Sequence, residues 1–300
     1  NGFSDPEFRI CRQNLIDDID CRKNDKRDYA LEKAAALAFQ NEPAAIAIHG
    51  ERKYAEKITP QTAYQTWQHI LSTSSIEIYC VTPQHKPLIR EYLQQTFNSF
   101  NRFPQTIPFF APSPCKRKTE TVEETMQTEQ SKLVLAFKFN NLNHEELVML
   151  EGMLSGISDS LLFTNVREKQ QLCYYILMHV STFKNTVFID CGIDYEQVST
   201  AISTILTQFS TIQCGLFSDD LQEKVALRYE RLAAEMSDSA SGIASMACSD
   251  FRRQENRSRE FAQVLRSLPR ETIMNAAKQM VLDSVYILRA NTDSPEDCIE

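Results

Sequence analysis

Leu162-Phe163-Thr164-Asn165-Val166-Arg167-Glu168-Lys169-Gln170-Gln171-Leu172-Cys173-Tyr174-Tyr175 is the stretch on which the fold of this 300-residue chain is decided. Its first half has the apolar spacing of an amphipathic helix that ends near Arg167. Its second half opens a β-rich run, Cys173–Thr182. Arg167 stands at the junction and Tyr174 follows seven residues later. On the residues alone, Arg167 snorkels at a helix end and Tyr174 fills a sheet face.

The segments on either side supply the rest of a domain. Strands are expected at about 119–126 and 131–139, followed by helices at about 143–155 and 158–169. A second β-rich run, Thr186–Ile193, follows Cys173–Thr182 across the hairpin residues Phe183, Lys184 and Asn185. From Tyr195, Val198, Ile202, Ile205, Phe209 and Ile212 recur at helical spacing. Asp219 and Asp220 begin another helix, where negative charge suits the N-terminus. Ser284–Arg289 closes as a strand. This order predicts an α+β domain over 119–300, with a mainly antiparallel sheet covered on one face by helices. It is expected to fold by itself.

Upstream, Pro104, Pro108, Pro112 and Pro114 precede Lys116-Arg117-Lys118, which predicts a linker at 104–118. Residues 1–103 read differently. Phe8, Cys11, Leu15 and Ile19 mark one helix, and alanine-rich 28–39 marks another. Thr59-Pro60 starts a third, with Tyr64, Trp67 and Leu71 on its apolar face and Trp67 expected in a core. Ile76–Val81 alternates as a strand and Pro87 to about Phe100 reads as a helix. One strand cannot make a sheet, so 1–103 is expected to be the back part of a larger α+β unit.

Composition removes several function classes. Lys plus Arg is 32 against 40 Asp plus Glu, net −8, with no basic stripe, which argues against nucleic acid. No apolar run approaches the roughly 18 residues of a membrane span. The opening Asn1-Gly2-Phe3-Ser4-Asp5-Pro6-Glu7 is polar and acidic, unlike a secretory signal. Nine cysteines, an odd number without a C-x-x-C pair, read as reduced thiols in a cytoplasmic protein. None of the seven glycines forms a phosphate-binding motif. No cysteine has the setting of a nucleophile, and the mixed-sign run Arg252–Glu260 reads as a solvated surface.

The pattern L-F-x-x-x-R-E-K-x-x-L-x-Y around Arg167 and Tyr174 resembles the signature in the second half of insulinase-type (M16) metallopeptidases. The order of strands, helices, hairpin and last strand through about Ala290 resembles that half as well. Residues 7–100 resemble the latter part of the first half, including the stretch 46–58 before the Thr59-Pro60 helix start. The resemblance implies half-domains of the LuxS/MPP-like metallohydrolase fold that close around an extended peptide, held by addition to a sheet edge. It implies that Arg167 and Tyr174 contact substrate.

The same family needs zinc, held by an inverted H-x-x-E-H whose two His share a helix face, with a Glu further along as third ligand. Here His occurs at 49, 69, 85, 144 and 179, and no two are four apart. His144-Glu145-Glu146 lacks a partner ligand and reads as an exposed helix start. The third-ligand position falls near Asp20 or Cys21, beside Asp17 and Asp18, where the family carries Glu. No catalytic or metal residue is therefore assigned, and zinc is expected only if an H-x-x-E-H lies upstream. The resemblance leaves three accounts: a non-peptidase homologue that binds peptide or serves as partner subunit, a truncated active zinc endopeptidase, or a non-catalytic scaffold. Expected partners are a peptide or unfolded polypeptide and an M16 subunit or a second copy of the chain, not nucleic acid or membrane.

Overall fold

A computed structural model describes residues 2–83, 86–98, 100–105, 111–253 and 261–291. Over these residues the chain condenses into two compact units, each assembled from three stretches. Unit one comprises Asn1–Cys21, Ile48–Phe109 and Arg231–Arg259, and unit two Arg22–Ala47, Phe110–Glu230 and Glu260–Glu300. The linear expectation of 1–103 and 119–300 differs in two places. Residues 22–47 join the second unit, and 231–259 the first.

Helices in chain order are α1 (Asp5–Cys21), α2 (Lys26–Ala38), α3 (Arg52–Ala55), α4 (Pro60–Thr73), α5 (Pro87–Asn98), α6 (His144–Glu151), α7 (Val198–Gln213), α8 (Asp219–Ser237), α9 (Ala240–Arg253), α10 (Phe261–Ser267) and α11 (Arg270–Lys278). Strands are β1 (Glu120–Gln127), β2 (Ser131–Lys138), β3 (Cys173–Ser181), β4 (Thr186–Ile193) and β5 (Val281–Asn291).

Unit two is built on a sheet of order β1-β5-β2-β4-β3. β1 runs parallel to β5, while β2–β5, β2–β4 and β3–β4 are antiparallel, so the sheet is mixed and mainly antiparallel. The hairpin turn uses Asn185 at φ 46°, a left-handed position that asparagine tolerates. One face carries the larger core, where Leu133, Leu135, Phe137, Ile189 and Cys191 meet apolar faces of α6, α7, α8, α10 and α11. Phe137 stacks on Phe209 of α7 with centroids 4.4 Å apart.

The second face is not open, which corrects the one-faced expectation. Tyr29, Ala30, Ala34, Leu37 and Ala38 of α2, with Phe39, cover Val134, Ala136, Phe188, Tyr286 and Leu288. Alanines four apart give α2 a flat face that lets it lie close to the strands. Every residue of β4 is buried, as a strand covered on both faces requires. The second half of the expected linker is also pinned in unit two. Ala111 N–H donates to Phe183 O at 3.1 Å and Lys116 N–H to Asp283 Oδ1 at 2.8 Å.

The helix before Arg167 is not regular α. Residues Gly152–Gly156 and Phe163–Lys169 form π-helical turns. At Gly152 a β-carbon would come within 2.8 Å of Val225 Cγ2, so the close approach of α8 needs glycine there.

Unit one has little interior. Ile16 and Ala55 are its buried apolar residues among those described. The Thr59–Thr62 capping box fixes the start of α4, as Thr59-Pro60 predicts. Trp67 is 42% exposed rather than core, and meets Phe3, Tyr64 and Phe100 edge-on or tilted. Ile76–Val81 joins no ladder, because among the described residues no neighbouring strand offers it hydrogen bonds. Residues 254–260 lie outside the described residues. Among those described, no helix is long and apolar enough to cross a membrane.

Candidate functional site

Arg167 and Tyr174 leave the junction as exposed side chains. Arg167 sits in the second π-helical turn with its guanidinium 4.7 Å from the Phe163 ring centroid, one turn earlier. Tyr174 is 63% exposed. The cause is a bulge in β3: Cys173 pairs with Ile193 and Tyr175 with Gly192, leaving Tyr174 as the extra residue. A bulge re-aims a side chain that regular pleating would place elsewhere. Neither group hydrogen-bonds to another described residue, and no hydrogen bond or cation–ring contact joins the two. They share a neighbourhood through Cys173. That thiol is lowered, first by its hydrogen bond with Cys191, with burial opposing and the Arg167 charge assisting. The Cys191 thiol is correspondingly raised by the Cys173 contact and by burial. β3 is also an edge strand, so among the described residues one side of its backbone has no strand neighbour.

One residue further, the sheet carries a polar cluster that sequence reasoning missed. Asp190 is 1% exposed on β4, facing α2. Arg27, in the first turn of α2, donates from Nε to Asp190 Oδ2 at 2.6 Å and from a terminal nitrogen to Oδ1 at 3.4 Å. His179 Nε2 lies 2.8 Å from Oδ1, to which it donates, and 3.0 Å from the guanidinium. Burial works against the Asp190 charge, but hydrogen bonds from His179 and Arg27 outweigh it and hold the carboxyl below its usual range. The Tyr175 ring lies under this group, 5.1 Å from the Arg27 guanidinium and 5.5 Å from Lys132 Nζ. Burial first, then the Asp190 charge, push its hydroxyl above the ordinary phenol range. Gly192 makes room, since a β-carbon there would stand 2.7 Å from Tyr175 Cε1. The available signal was Asp190 itself, a lone carboxylate in the otherwise apolar run Thr186–Ile193, which demands a partner.

The remaining candidates are dispersed. His144 starts α6 as expected but is not exposed: it is half-buried with its ring 5.1 Å from that of Phe261. Asp17 accepts from Gln13 Nε2 at 2.8 Å along α1, Asp20 pairs with Arg52, and Cys21 is exposed. Among the described residues, no group of three or more His, Cys, Asp or Glu could hold a metal ion. The donor set of the described residues therefore does not suit zinc, and no step is derived through it.

The family described as peptidase M16 inactive domain matches residues 57–226. A Bacillus subtilis (strain 168) protein named probable inactive metalloprotease YmfF is 25% identical over 287 residues, 93% of this chain. The chain spans 66% of that relative's length. A conserved protein from Enterococcus faecalis V583 superposes with a TM-score of 0.88 at 20% identity, covering 98% of this chain and 70% of its own. The peptidase M16 inactive domain from Pseudomonas fluorescens gives 0.81 at 14% identity, covering 97% and 71%.

Proposed function

This chain belongs to the peptidase M16 family through its inactive domain, and from that premise we propose that it handles extended polypeptide through Arg167 and Tyr174 as a non-catalytic half of an M16 assembly. The supporting observation is the bulge that turns Tyr174 out of edge strand β3 while Arg167 stands exposed at the adjoining π-helical turn. A polypeptide lying along the β3 edge would satisfy the unpaired backbone of that strand. An Arg donor and a Tyr hydroxyl at its end would hydrogen-bond a peptide carbonyl, fixing register without reading side chains. The partner is a second M16 subunit, which would bring the catalytic metal site.

The test uses the full 300-residue chain and a fluorescently labelled unstructured polypeptide. Arg167→Ala and Tyr174→Phe should leave the melting temperature unchanged, because both side chains are exposed. Each should weaken binding by roughly 1–3 kcal/mol, the range for losing a charged or hydroxyl hydrogen bond. Unchanged affinity in both variants, or a loss confined to stability, returns the pair to a packing role.

A further inference from the structure

Two cysteines of the larger core lie beside the Tyr174 bulge and take no part in the peptide-handling reading. Cys173 on β3 and Cys191 on β4 are 7% and 0% exposed and belong to the same core cluster. Their thiols hydrogen-bond to each other. Spacing alone singles out neither, because the β3–β4 hairpin, not a C-x-x-C pair, brings them together. The contact also makes the two sulfurs unequal. The Cys173 thiol is lowered first by its hydrogen bond with Cys191, with burial opposing and the Arg167 charge assisting, while Cys191 is raised by that contact and by burial. One sulfur is therefore the better nucleophile and the other a thiol held against it. That arrangement carries an oxidised cysteine to a disulfide rather than to a higher oxide.

Their place in the ladder decides what closure does. Cys173 pairs with Ile193 and Cys191 with Ile176, so the cysteines are diagonal neighbours across the bulge at Tyr174. Diagonal side chains stand farther apart than opposite ones, and a disulfide brings its sulfurs to about 2 Å. The start of β3 must therefore draw toward β4. A bulge is where a strand yields to such a shift, because its extra residue stands outside the ladder.

We propose that Cys173 and Cys191 form a reversible disulfide site, closed by hydrogen peroxide and reopened by a thiol, and that closure moves the bulge that carries Tyr174. The Cys173 thiolate attacks peroxide: an S–O bond forms, the O–O bond breaks, and the departing hydroxide takes a proton to become water. The Cys191 sulfur then attacks the sulfenic sulfur. An S–S bond forms, the S–O bond breaks, and the Cys191 proton leaves with the oxygen as a second water. Two thiols are oxidised and one peroxide is reduced. Reopening consumes two thiol equivalents, which leave as their own disulfide. The site goes beyond the peptide-handling reading and is detected without any peptide.

The test treats the full 300-residue chain with hydrogen peroxide, alkylates the remaining thiols under denaturing conditions and maps tryptic peptides by mass. Cys214→Ser, at an exposed position, leaves Cys191 as the one cysteine of peptide 185–224. The expected product is a cross-link between peptides 170–184 and 185–224, two hydrogens lighter than their sum, which dithiothreitol removes. Hydrogen exchange over 174–176 should change by at least about threefold on oxidation and return on reduction. Peroxide that oxidises exposed Cys11, Cys21 and Cys115 but leaves Cys173 and Cys191 open to alkylation overturns the site. So does Cys173 recovered as a sulfinic acid with Cys191 still a free thiol. A disulfide that leaves exchange over 174–176 unchanged overturns the coupling to the bulge.

Discussion

Asp190 is the residue whose environment leaves least freedom. A carboxylate at 1% exposure is tolerable only with donors, and Arg27 and His179 supply them. Arg27→Ala removes the guanidinium and leaves the carboxylate buried with His179 alone. The Arg27 side chain is itself 34% exposed, so the expected cost is about 2–3 kcal/mol, at the low end for breaking a buried pair. Urea unfolding at neutral pH measures it. The pH dependence follows from direction. Asp190 is depressed, and so is Glu124, where burial opposes but hydrogen bonds from Tyr286 and Tyr29 prevail. Groups depressed in the folded state contribute stability above their unfolded values, about 3.9 for Asp and 4.3 for Glu, and lose it as pH falls through the folded ones. Acid unfolding should therefore begin at higher pH in Arg27→Ala than in the parent, and coincident acid transitions would refute the linkage. The junction that carries Arg167 and Tyr174 was legible at this scale because a motif singles it out, and the structure adds that both side chains are exposed. Arg27 was not legible, since 163 residues separate it from Asp190 and one basic residue in a basic-acidic stretch carries no spacing signal.

Periodicity found most elements, and the misses share a cause. α2 was readable as an alanine-rich helix, but its destination was not, because a helix pattern states which face is apolar and not which sheet it meets. The near-continuous apolar reading of β2 and β4 was the available hint that both faces are covered. The π-helical turns and the β3 bulge each add one residue without changing apolar spacing enough to register. They nevertheless set where Arg167 and Tyr174 point. α2 offers a sharp test of close packing. Ala30 is fully buried against the sheet, so Ala30→Leu must push the helix away or strain its rotamer. An expected loss of about 1–3 kcal/mol follows from overpacking, read from the shift in denaturation midpoint. Ala35→Leu, at a half-buried position on the same helix, should cost less. Equal costs would mean that α2 does not lie close on the strands.

Across the molecule, burial is uneven between the two units. Nearly all the buried apolar residues belong to unit two, with Ile16 and Ala55 in unit one. Local stability follows buried contacts, so amides of α4 and α5 should exchange before those of β2 and β4 in native-state hydrogen exchange. The same accounting revises the expectation that 119–300 stands alone. Without α2, the face formed by Val134, Ala136, Phe188, Tyr286 and Leu288 is open to water, and Asp190 loses Arg27. Lys138 Nζ also loses the carbonyls of Ala38 and Pro114, each of which accepts from it at 2.8 Å, and keeps only Asp283 beside it. An isolated 119–300 piece should therefore bind a hydrophobic dye and melt broadly. A synthetic peptide of residues 22–47 should restore the missing layer, lowering dye binding and sharpening the transition. Its Arg27→Ala version should do so less well, because the helix would bring its apolar face but not the partner of Asp190. Dye binding and melting that ignore the peptide would show that the sheet's second face does not need α2, and that the order of chain segments, rather than their packing, marks the domain.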